Sequence, residues 1–132
     1  MNWTTLISNP HFLHALYGPE GPPLSPVRIG AMELRQDGPR LTLFVTLPTY
    51  PEKPPVKWKG CNTAVLELDC SGVTSFAQKG WAWDNVGTLS LTGKLGEIAL
   101  TFTSPGCVIE AGVSSLYVQR ISAHLVNASN VE

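Results

Sequence analysis

The stretch LPTYPEKPPVKWKG, residues 47–60, holds four prolines and one tryptophan. Pro48, Pro51, Pro54 and Pro55 each fix φ and each lack a backbone donor, so neither a helix nor a central strand can pass through. The residue before each proline is pushed toward extended geometry as well. The flanking elements must therefore be joined by a stiff connection that loses little chain entropy on folding. The expectation is a structural strap. Pro51, Pro54 and Pro55 cross one end of the body, Trp58 inserts into it, and Lys53, Lys57 and Lys59 stay in solvent.

Upstream of the strap the pattern changes once. Phe12, Leu13, Leu16 and Tyr17 recur at the three-to-four spacing of one buried helix face. Ser8 or Asn9 is placed to cap that helix, Pro10 suits its first position, and Gly18-Pro19 ends it. Asn2-Trp3 begins a preceding turn, with Trp3 and Ile7 on the same core. GPEGPPLSP, residues 18–26, is a loop. Beyond it the period is two. Val27 to Arg35 reads as a strand with a bulge near Gly30-Ala31, and Asp37-Gly38 as a hairpin turn. Leu41, Leu43, Val45 and Leu47 alternate against Thr42, Phe44 and Thr46.

After the strap, Ala64, Leu66, Leu68 and Cys70 face one way and Glu67 and Asp69 the other. Further strands are expected at Val73–Trp83, Thr88–Thr92, Glu97–Thr103, Cys107–Val113 and Leu116–Leu125. Connections this short predict antiparallel neighbours. The fold class is α+β, mainly β: a short N-terminal helix packed on a curled antiparallel meander of about seven or eight strands. Residues 1–132 read as a single domain, with 126–132 as a frayed tail.

Composition narrows the function classes. Charged residues are only 14% of the 132, and the formal net charge is −1, so no basic field favours nucleic acid. No apolar run has the length of a membrane span, and MNWTTLISNPHF lacks the basic and apolar regions of a secretory signal. Three cysteines without a C-x-x-C pair suit a reducing compartment. The chain is expected to be cytoplasmic.

Catalytic signatures are missing. There is no nucleophile elbow, phosphate loop or zinc-protease helix. His11 and His14 stand three apart on the helix without an accompanying Cys, Asp or Glu, so they read as polar-face residues and not as a metal site. His124 has no local acid to orient it. Glu67 and Asp69 project from one face, as paired catalytic carboxylates do. Their apolar neighbours make them the water-facing side of a half-buried strand instead, available to a basic protein partner. No cofactor is implied.

Trp81-Ala82-Trp83-Asp84-Asn85 is more informative. An extended backbone puts both indoles on one side. Core packing is the first expectation for such rings, and a binding surface beside a polar turn is the second. An aromatic platform for sugars is a rival reading.

Asn2-Trp3, Phe12, Tyr17-Gly18, Asp37-Gly38-Pro39, the P-x-x-P-P-x-x-W run from Pro51 to Trp58, Leu66-x-Leu68 and Gly72-Val73 occur in an order that resembles the bacterial immunity protein 50 family. The resemblance extends to about residue 125. It implies a non-enzymatic inhibitor that binds a cognate protein toxin domain of a polymorphic toxin system in the cytoplasm; charge balance and hydropathy separately give the expectation of no nucleic acid and no membrane partner. The shared positions are scaffold residues, so the binding surface has to be chosen from the residues themselves. The choice is Trp81, Trp83, Asp84, Glu67 and Asp69. The alternative function is a small carbohydrate- or ligand-binding β module.

Overall fold

The computed structural model describes residues 2–126. A 3-10 turn at Trp3–Leu6 and one helix, α1 (His11–Tyr17), precede eight strands. These are β1 (Val27–Arg35), β2 (Arg40–Thr46), β3 (Thr63–Ser71), β4 (Ser75–Lys79), β5 (Val86–Lys94), β6 (Glu97–Thr103), β7 (Val108–Val113) and β8 (Ser115–His124). They form one antiparallel sheet in the order β4-β7-β6-β5-β1-β2-β3-β8, with two outer edges and no closure. The mainly-β α+β expectation is met.

The sheet divides into two leaves. β1, β2, β3 and β8 form the first, and β5, β6, β7 and β4 the second. Among the described residues, two register pairs join them in the sheet, Val27 with Gly87 and Arg28 with Val86. Alternation explains why both leaves share a core. Leu41, Leu43, Val45, Leu66, Leu68 and Leu116 point inward from the first leaf, and Leu89, Ile98, Leu100, Phe102 and Ile109 from the second. All lie in one apolar cluster.

Short connections do not always join neighbours. β7 runs into β8 through Ser114 alone, yet the two strands lie in different leaves, and β3 likewise hands over to β4 across Gly72–Thr74. The expected pairing of sequential strands therefore fails between β4 and β5, which lie at opposite ends of the second leaf, and at these two crossings. Each is a bend from one leaf to the other, tied by the Ser114 N–H to the Ser71 carbonyl at 2.9 Å.

The helix differs from expectation at its start. Pro10 is the N-cap and makes no side-chain cap bond. Asn9 is used elsewhere: its amide exchanges hydrogen bonds with the Val118 backbone at 2.8 and 2.9 Å. The other end follows the sequence signal, since Gly18 takes φ +85° and donates its N–H to the His14 carbonyl. Leu13 is fully buried, while Phe12 lies at the surface with its ring edge-on to Trp58. Trp58 is 5% exposed, between Phe12 and Tyr50, and Lys53, Lys57 and Lys59 are exposed around it. Val126 lies within the described residues. Its backbone N–H and carbonyl both bond the Asn62 side chain at 2.9 Å, so the tail does not begin there. The rest of the tail expectation, 127–132, lies outside the described residues.

Candidate functional site

The outer face of the first leaf is a grid that strand register fixes. One row across the four strands is Arg28, Thr46, Val65 and Ser122; the next is Ala31, Phe44, Glu67 and Arg120. The third row is Glu33, Thr42, Asp69 and Tyr117, and the fourth Arg35, Arg40, Ser71 and Ser115. Ideal strand spacings give this grid roughly 14 Å by 20 Å between outermost Cα positions. Across its second to fourth rows lies a shallow polar depression of about 200 Å³, lined by Glu33, Arg35, Arg40, Glu67 and Asp69 among others.

Glu67 and Asp69 share this face, but not the expected exposure. Glu67 is half-buried and Asp69 is buried. The correction has a clear cause. Asp69 Oδ1 accepts the Thr42 hydroxyl at 2.7 Å, and Arg40 Nη1 lies 4.0 Å from Oδ2. A carboxylate held by a neighbouring hydroxyl and guanidinium needs less water, so it can sit below the surface. Asp69 therefore organises the depression more than it offers itself to a partner. Arg40 Nε is buried without a hydrogen-bond partner among the described residues.

At the grid's first row stands the Trp81–Asp84 loop. Arg28 Nε pairs with Asp84 Oδ1 at 2.9 Å, which ties the loop to β1. Both groups are about half exposed or more, so the pair positions the loop and contributes little stability. β4 ends at Lys79, and the backbone bends at Trp83 and Asp84 instead of continuing as a strand. The expected core packing of the tryptophans is overturned with it: Trp81 is 48% exposed and Trp83 fully exposed at 106%.

A loop that shows an indole to water has to be held in place by other atoms. Asn85 is 3% exposed; its Oδ1 accepts the Ala82 N–H at 2.8 Å and its carbonyl accepts the Ile29 N–H at 2.9 Å. Gly80 has φ +83°, and a Cβ there would collide with the Gly106 carbonyl. The loop is thus seated on the Ser104–Cys107 turn with no room between them. Next to it, on the strap side, runs an open, mostly apolar groove of about 420 Å³ lined by Arg28, Thr46, Pro48, Tyr50 and Val86 among others.

Of the five residues chosen from the sequence, the structure puts Glu67 and Asp69 on the grid and Asp84 at its margin, with Trp81 and Trp83 on the same loop as Asp84. Sequence reasoning did not single out Arg28, Arg40, Thr42 or Asn85. The alternation of Thr42 and Phe44 against buried leucines was the signal for that face. Nothing in the string marks Asn85 as buried.

His14 Nε2 lies 3.0 Å from Thr4 Oγ1, and among the described residues no group of three His, Cys, Asp or Glu is placed to hold a metal. No helix among them is long and apolar enough to cross a membrane. A family model described as Immunity protein 50 matches residues 9–124. The chain belongs to the immunity protein 50 family. The matched residues run from Asn9 through the last strand, so the grid and the tryptophan loop lie inside the family region and Asn2-Trp3 lies outside it. No curated protein and no solved structure matches this immunity protein 50 family member.

Proposed function

We propose that this chain protects a bacterial cell by binding a cognate protein toxin domain and covering its active surface, with no reaction of its own. The observation that carries the reading is the exposed Trp83, with Trp81 beside it, on a loop anchored by buried Asn85. Large aromatic rings on a fixed backbone dominate binding energy, because they bury much area and lose little freedom. Family membership makes a toxin the partner that fits. The grid next to the loop supplies mixed charges: Glu67 as an acceptor, Arg120 opposite it, and the ion-paired Glu33 and Arg35. Such charges select among partners more than they tighten binding.

Exposed indoles also suit sugar rings, and this keeps a carbohydrate-binding module as the second reading. Co-expression with the C-terminal domain of a toxin encoded beside this gene tests the first. Growth is expected with the wild-type chain and killing with Trp83→Ala. Continued killing despite soluble wild-type protein overturns the reading, and selective glycan-array binding then favours the second.

A further inference from the structure

β1 lies inside the sheet order, yet much of it has a free edge. β5 pairs with it only at Val27 and Arg28, and the Ile29 N–H goes to Asn85. From Ala31 to Arg35 the strand pairs with β2 and, among the described residues, with no backbone on its other side. The two outermost strands are treated differently. β8 is covered where it begins, by the Ile7–Leu116 bridge and the Ser8 N–H to the Leu116 carbonyl. β4 ends on exposed Lys79, a charge that discourages pairing. Ala31 to Arg35 have neither cover nor lysine. Leu34 stands opposite fully buried Leu41 and is itself 53% exposed.

We infer that a second copy of this chain pairs with this edge, strand against strand and antiparallel, about a two-fold axis at Leu34. Residues opposed across such a pair share a face, so the axis can pass through Met32, Glu33 or Leu34. An axis at Leu34 sets Glu33 against the partner's Arg35 and Arg35 against the partner's Glu33, and brings the two exposed leucines together. An axis at Glu33 opposes two carboxylates. An axis at Met32 leaves Glu33 opposite alanine and Arg35 opposite Ile29, whose N–H is already committed to Asn85. Opposite charges in direct register favour a strand pair and like charges oppose it, so the sequence Glu-Leu-Arg selects the first arrangement. Glu33 and Arg35 already lie 3.1 Å apart on one face of the strand, at about half exposure.

The dimer joins two first leaves into one continuous sheet with both grids on the same side. So short an edge buries much less than the roughly 800 Å² per partner of a standard interface, so the pairing is expected to be weak and reversible.

Sedimentation equilibrium of the full chain over about 5–500 µM is the test. The expected result is a reversible dimer that weakens at least about tenfold in Glu33→Arg and in Arg35→Glu, and recovers in the double charge swap. The substituted positions are exposed, and thermal melts verify that each variant folds. A monomer at every concentration overturns the inference, as does a dimer indifferent to either single swap or unrestored by the double one. A monomer whose 31–35 amides gain hydrogen-exchange protection only with a toxin domain also overturns it and assigns the edge to the toxin.

Discussion

Asn85 Oδ1 accepts the backbone N–H of Ala82 across 2.8 Å, and this one bond closes the loop that presents Trp83. Asn85→Ala leaves a part-buried amide unsatisfied and is expected to lower the unfolding free energy by about 1–3 kcal/mol. Tryptophan fluorescence anisotropy should fall as the loop loosens, and denaturant unfolding gives the energy.

Trp83→Ala separates binding from folding. A fully exposed side chain contributes little to the folded state, so stability should change by no more than about 0.5 kcal/mol. Affinity for the toxin domain should drop by about 2 kcal/mol or more, roughly thirtyfold, in calorimetric titration. Equal loss from Trp83→Phe and Trp83→Ala would point to the indole N–H as the contact, and partial retention in Trp83→Phe to ring area.

Trp58→Ala is the opposite case. The ring fills the space between α1 and the strap, against Phe12 and Tyr50. Its removal is expected to cost about 3–5 kcal/mol of stability, read from thermal or denaturant unfolding. Toxin binding should then be lost only in proportion to the unfolded fraction. A stable Trp58→Ala protein that no longer binds would make the strap part of the interface.

Cys70 gives the alkaline behaviour. Burial, reinforced by the nearby Asp69 charge, raises its thiol from an ordinary 9.0 to about 12. The folded chain therefore holds this proton more tightly than the unfolded chain. That contribution is complete below pH 9 and is lost as the pH climbs toward 12. Melting temperatures measured from pH 8 to about 11 should fall more steeply in the wild type than in Cys70→Ala. Tyr17, likewise raised to about 12 chiefly by burial, contributes to the slope that remains in the variant, as do Tyr50 and Cys107, which are also raised.

Thiol labelling offers a further check. Cys61 is partly exposed, while Cys70 and Cys107 are buried, and burial raises both buried thiols. A native-state reagent should modify one cysteine per chain quickly, and all three only after unfolding.

Much of the fold was legible because alternation reports facing directly. Glu97–Thr103 matches β6 residue for residue, and Gly30 marks the register shift on β1. Depth is another matter. Alternation puts Asp69 on the outer face, but its burial comes from Thr42 and Arg40, which reach it only once β2 is paired in register. The tryptophan pair was misjudged for a similar reason. Trp-Ala-Trp has a strand's period, and the bend that exposes both rings depends on Gly80 meeting Gly106 from a distant turn. Leaf exchange at Ser114 was invisible too, since a single linking residue reads as a hairpin until its partners are known.

The family match starts at Asn9, and the Ile7–Leu116 bridge lies just before it. Trimming the chain to the matched span would strip the cover from the start of β8 at Leu116, while the Asn9 amide would keep its hold on Val118. Such a shortened protein would keep every residue of the grid and the tryptophan loop and still bare backbone groups at the start of β8. For any protein-engineering use, residues 2–8 are as much a part of the working molecule as the tryptophans.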